Sequence, residues 1–191
     1  MINADALSDL ILALVCSTLA ATYWRTRPAL AQSSGVFAIA ASFGVLRFSA
    51  IEIALGPHRF FSLVAASAAF PLLAIALCWP DDETAKRDKA AARMLFLLVA
   101  IGIAIHLSGF ALWRQILPVV SVLMMVIAAS RSKQAASIFG ALFFVAGLLV
   151  AALGQAPEFV LGPFSATQAM HYLMAAGFGM LGWSLYSRTS H

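Results

Sequence analysis

Polar residues in this chain fall in clusters, and between the clusters run seven apolar stretches, at about residues 7–24, 35–55, 60–79, 94–112, 116–130, 135–153 and 164–186. A helix rises ~1.5 Å per residue and crosses the ~30 Å hydrocarbon layer in roughly 20 residues, so stretches of this length predict transmembrane helices. The fifth is the shortest. At about 15 residues it reaches only ~22 Å, and Pro118 near its start suits a first-turn position. The predicted fold class is all-α, a polytopic membrane bundle of seven transmembrane helices forming a single domain over residues 1–191.

The basic residues orient this bundle. Loops after stretches one, three, five and seven hold Arg25, Arg27, Lys86, Arg87, Lys89, Arg93, Arg131, Lys133 and Arg188, whereas the opposite side holds Arg59 and Arg114. Cytoplasmic loops are the ones enriched in Lys and Arg, so nine against two places the N-terminus outside and the C-terminus inside. The alternation breaks unless the fifth stretch crosses, because Arg131 and Lys133 would then fall outside. The expected location is a cell membrane of the bacterial inner-membrane type, crossed several times.

Composition agrees. With 62% hydrophobic and 10% charged residues and a mean hydropathy of +0.93, a soluble globule is excluded. A net charge of +4 and a pI near 9.5 would point a soluble chain toward nucleic acid, but here the basic excess is the cytoplasmic belt. Asp5 and Asp9 stand at the head of the first stretch with no Lys or Arg, the reverse of a signal peptide, so that stretch is expected to remain as a helix. Cys16 and Cys78 lie inside apolar runs and read as small core residues rather than a disulfide. The charged linker 80–93 predicts a short surface helix on the cytoplasmic face, beginning near Asp81 and Asp82. Small-residue runs at 40–44, 65–69 and 175–179 suit close helix contacts. Trp24, Trp79, Trp113, Trp183 and Tyr186 fall at stretch ends, where amphipathic rings favour the interface.

Ionisable groups inside the bilayer cost about 2.5–3.5 kcal/mol each on insertion scales, which makes the five present here the candidate functional groups. Counting ~1.5 Å per residue from the outer boundary, Asp9 and Glu52 lie ~3 and ~5 Å deep, His106, His171 and Arg47 ~9 to ~12 Å. All are in the outer half. Arg47 calls for an acidic partner, Asp9 on the first helix or Glu52 with its side chain bent back; it either ties helices one and two together, binds an anionic group, or snorkels along the lipid face. Thr167, Gln168 and His171 share one helix face, and His106, with Ser108 nearby, sits at a similar depth on the fourth helix. These residues predict an outward-facing polar cavity lined by Arg47, His106, His171, Gln168, Glu52 and Asp9, with a lipid headgroup or small anion as ligand.

No HxxxH, HExxH or CxxC spacing assigns a metal. His58, beside Arg59, offers a third nitrogen from an outer turn, and a haem b held by His106 and His171 is an alternative resting on equal depth alone. The lysines, Lys86, Lys89 and Lys133, all lie outside the stretches, which excludes a retinal Schiff base. Walker loop, dinucleotide turn and serine nucleophile elbow are absent.

The seven-helix arrangement, the run Ala169-Met170-His171-Tyr172-Leu173-Met174-Ala175-Ala176 and, loosely, Gly44–Phe48 resemble the superfamily of alkaline ceramidases and adiponectin-receptor-like membrane hydrolases. That resemblance implies a zinc-dependent hydrolase of lipid amides, with one histidine on an early helix and a histidine pair four apart on the seventh. His171 matches the second of the pair, Thr167 stands at the first, and Arg47 lies where the early ligand is expected. With two of three ligands replaced, it implies a relative without zinc, Arg47 supplying positive charge where the metal would be. Three functions follow in order: a ligand-binding membrane protein, a structural subunit of a membrane complex, and a lipid amide hydrolase with His171 as general base.

Overall fold

The structure, a computed structural model, describes residues 3–110, 112–154 and 164–189. Nine α-helices follow in order among these residues: α1 (Ala4–Tyr23), α2 (Pro28–Phe48), α3 (Leu55–Val64), α4 (Phe70–Cys78), α5 (Glu83–Lys86), α6 (Asp88–Leu107), α7 (Trp113–Ser132), α8 (Ala135–Leu153) and α9 (Ala166–Thr189). A 3-10 turn (Glu52–Ala54) leads into α3, and a π-turn (Ala65–Ala69) joins α3 to α4, so residues 52–78 form one continuous helical segment. No β-strand occurs among the described residues.

Six segments are long and apolar enough to cross a membrane: Ala4–Tyr23, Pro28–Phe48, Glu52–Cys78, Asp88–Leu107, Trp113–Ser132 and Ala135–Leu153. This is the pattern of a multi-pass membrane protein. Large side chains on the outside of the bundle agree with it, Phe96 being 74% and Leu149 58% exposed. Water would not tolerate such continuous apolar surface, and lipid does. Helix α9 has the length, 24 residues, but Thr167, Gln168 and His171 lower its hydropathy and it is not among the six.

Several boundaries differ from those predicted, each for a local reason. Helix α7 has 20 residues rather than about 15, so the fifth segment is long enough to span; Pro118 lies one turn inside it. Pro118 is thus an interior residue rather than a first-turn one, and, lacking an N–H, it leaves the Arg114 carbonyl without its usual helical donor. Helix α2 begins at Pro28 rather than near residue 35, because its polar start is satisfied by other helices. Gln32 Nε2 donates to Asp88 Oδ1 at 2.7 Å, and the buried Ser33 hydroxyl donates to the Ala69 carbonyl at 2.8 Å. That carbonyl belongs to the π-turn just before Pro71, where the regular ladder is interrupted. At its other end α2 stops at Phe48, since Ala50 adopts a left-handed backbone with φ 65°.

The linker carries a short helix, as expected. Asp82 caps α5 by accepting from the Thr84 amide at 2.8 Å, and Lys86–Asp81 and Arg87–Glu83 ion pairs brace it at 2.7 and 3.0 Å.

Inside the bundle the contacts are small residues and aromatic rings. A Cβ on Gly140 or on Gly177 would stand 3.1 Å from the other's carbonyl, so α8 and α9 meet backbone to backbone. Phe37, Phe70, Phe144 and Phe178, from α2, α4, α8 and α9, form a ring of edge-to-face pairs with centroids 4.9 to 6.1 Å apart. Because α9 supplies one of the four, it belongs to the core of the bundle. Trp24, Trp79, Trp183 and Tyr186 are each more than half exposed, as interface anchors are. Cys16 and Cys78 are free.

Candidate functional site

Two residues 162 positions apart meet where α1 passes α9. Asp9 Oδ1 lies 3.2 Å from His171 Nδ1, and both side chains are nearly inaccessible, at 1% and 10% exposed. The approach depends on Gly44 of α2: any Cβ there would collide with the Asp9 carboxylate. A small residue on α2 therefore makes room for an acid on α1.

The neighbouring hydroxyl fixes the histidine tautomer. Ser8 Oγ donates its single proton to the Asp5 carbonyl at 2.8 Å, and a carbonyl cannot donate in return. Toward His171 Nδ1, at 3.3 Å, Ser8 can then only accept. With Nδ1 carrying a hydrogen shared between Ser8 and Asp9, Nε2 is an acceptor when the ring is neutral. His171 Nε2 makes no hydrogen bond among the described residues. Asp9 Oδ2 is likewise buried without a partner there.

These groups open onto a cavity of about 220 Å³ bounded by α1, α2, α3, the π-turn, α4, α7, α8 and α9. Its polar wall is Asp9, His58, Ser62, Arg114 and His171, and its apolar wall includes Phe37, Phe70, Leu148 and Met174. His58 Nδ1 donates to the Ala40 carbonyl at 3.3 Å, so this ring too keeps Nε2 as an acceptor. The cavity thus offers two imidazole acceptors and one guanidinium. At the head of α9, Asp5 Oδ1 accepts from Gln168 Nε2 at 2.8 Å and from Ser165 Oγ at 2.9 Å, tying the ends of α1 and α9 together.

Of the six residues predicted to share a cavity, Asp9 and His171 line this one and meet directly. Gln168 is buried but serves the Asp5 tie and is not in the cavity wall. Arg47 is exposed, with its guanidinium 4.9 Å from the Phe48 ring. It forms no ion pair with Asp9 or Glu52 within 4.0 Å, although its charge is close enough to act on Asp9 and His58. Asp9 is held by His171 instead. Glu52 is exposed in the 3-10 turn, because α2 ends four residues before it, and His106 is exposed in the last turn of α6. Neither lines the cavity.

Sequence alone does not bring Arg114 to the cavity, and it assigns His58 to an outer turn. Helix α3 begins at Leu55 and takes His58 into its first turns, and α7 begins at Trp113 and carries Arg114 in the same way. One signal was available: Arg114 is a basic residue on the side that otherwise nearly lacks them. Among the described residues no group of three or more His, Cys, Asp or Glu side chains is placed to hold a metal ion. No family model, curated protein or solved structure matches this chain.

Proposed function

We propose that this chain is a seven-span membrane protein, α9 being the seventh span, with its N-terminus outside and its basic belt in the cytoplasm. Its cavity binds the headgroup of a membrane lipid. The observation that carries this reading is the buried Asp9–His171 pair opening onto a space that Arg114 and His58 also line. Burying an ionisable pair in a membrane bundle is costly, and a site that needs a fixed acceptor gives a reason to keep it.

The chemistry of the wall defines the ligand. Arg114 suits a phosphate or other oxyanion, the two Nε2 atoms suit hydroxyl or amine hydrogens, and the phenylalanine and leucine side chains suit the first carbons of an acyl chain. A volume of about 220 Å³ is smaller than the ~300–1,000 Å³ of pockets that enclose whole drug-sized ligands, so it fits a headgroup rather than an entire lipid. A hydroxylated anionic headgroup meets all three demands.

The test is thermal unfolding of the detergent-purified chain with phosphatidylglycerol, phosphatidylcholine or inorganic phosphate. Phosphatidylglycerol should raise Tm, and the rise should vanish in Arg114→Gln, an exposed position whose loss leaves the core intact. A Tm rise from phosphate alone would make the ligand a small anion. Equal stabilisation by phosphatidylcholine, or a full response in Arg114→Gln, would overturn the proposal.

A further inference from the structure

At the opposite end of the bundle a second site is assembled, from elements far apart in sequence. A cavity of about 240 Å³ lies between the α1–α2 connection, the end of α4, the α7–α8 corner and the last turns of α9, and Arg27 and Arg131 both line it. A larger space of about 590 Å³ adjoins it and shares Arg27, Leu77, Pro80 and Leu185, so the two are lobes of one groove.

The two arginines have no acidic partner among the described residues, and the acids nearby explain why. Asp81 is taken by Lys86 at 2.7 Å and Glu83 by Arg87 at 3.0 Å. Asp82 caps α5, and Asp88 accepts from Gln32. Asp81 lines the larger lobe and its charge reaches Arg27, yet its contact is with the lysine. Arg27 and Arg131 therefore line the groove without a direct ion pair among the described residues.

Backbone groups add to this. Helices α2 and α8 both start at this groove, and neither has a side-chain cap. Their first-turn amides lack intrahelical partners, and the residues of those turns, Leu30 and Ser137, line the groove. Ser132 and Ser137 already bond to the Ala129 carbonyl and to Ser184, which leaves the arginines as the charged donors of the smaller lobe.

We propose that Arg27 and Arg131 form a phosphate-binding site at the cytoplasmic end of the protein, distinct from the Asp9–His171 cavity. Arginine matches phosphate oxygens with paired parallel N–H donors, and two arginines meeting across a groove can hold one phosphate between them. The apolar walls, Leu77, Met125, Leu181 and Leu185, would lie beside the acyl chains of a lipid phosphate, whereas a free phosphate would need only the arginines.

Calorimetric titration of the full chain in detergent, with short-chain phosphatidic acid in one arm and inorganic phosphate in the other, separates the sources. Saturable binding of phosphatidic acid alone assigns a lipid headgroup, and binding of both at similar affinity assigns a free phosphate group. In either case, with the titration run in an Arg114→Gln background so that the outer cavity does not contribute, Arg131→Gln should weaken binding at least tenfold and Arg131→Lys less. Arg131 is exposed, so its variants should fold as the parent does even if Arg27→Gln does not. No binding of either probe, or unchanged affinity in Arg131→Gln, would overturn the site.

Discussion

Gly44 is the residue on which the buried pair turns. Alanine is an unremarkable neighbour in most helix contacts, but here its methyl group would occupy the space of the Asp9 carboxylate. Gly44→Ala should therefore cost about 1–3 kcal/mol in unfolding free energy, the usual penalty for overpacking, by driving Asp9 off His171. In an Asp9→Ala background the same substitution should cost less than about 0.5 kcal/mol, since the clashing group is gone. Equal penalties in both backgrounds would place the effect elsewhere on α2. The sequence identified Asp9 and His171 as candidates from their depth in the membrane, yet it could not pair them. Contact between residues 162 positions apart depends on helix order, which spacing along one chain does not carry. Arg47 drew attention as the deepest charge, but its long side chain reaches the surface and lies against Phe48, which hydropathy counting cannot represent.

Elements were most legible where they are uniformly apolar. Helix α8 runs from Ala135 to Leu153 as predicted, because nothing charged interrupts it and its one polar residue, Ser137, lies in the first turn. Helix α2 was legible only in its second half, since Gln32, Ser33 and Ser34 read as a polar break, whereas Gln32 and Ser33 bond to other elements. Ser33→Ala would remove a buried hydrogen bond between α2 and the Ala69 carbonyl and should destabilise the bundle by about 1 kcal/mol. A Tm unchanged from the parent would show that the π-turn does not need this bond. At the surface, the Lys86 ammonium, by its hydrogen bond and its charge, holds the Asp81 carboxyl below its ordinary 3.8, and the Thr84 amide does the same for Asp82. Folded values below the unfolded ones give a contribution that is complete above 3.8 and lost as pH falls further. Amide exchange at Lys86 and Arg87, corrected for intrinsic rates, should thus be steady down to about pH 4 and quicken below it; quickening that begins near neutrality would contradict the assignment.

For the molecule as a whole, the basic belt and the two cavities give the bundle a direction. One end gathers Arg27, Lys86 and Arg131 around a groove, and the other gathers the Asp9–His171 pair, His58 and Arg114. The proposed orientation rests on the distribution of Lys and Arg, which survives errors of several residues in every helix boundary. The count of seven depends on α9, whose polar face is turned toward α1 at Ser8, Asp5 and Asp9, and whose Phe178 completes the aromatic ring. A helix with those contacts cannot leave the bundle without exposing them. Ser62 lines the outer cavity and is exposed, so it reports which side that cavity faces. The most direct test is thiol labelling of Ser62→Cys, in a chain with Cys16 and Cys78 replaced by alanine, by a membrane-impermeant maleimide applied to intact cells. Labelling from outside without permeabilisation, together with Lys133→Cys labelled only after it, is the predicted result; Ser62→Cys labelled only from the cytoplasmic side, or Lys133→Cys labelled in intact cells, would contradict an outward-facing cavity in a seven-span bundle.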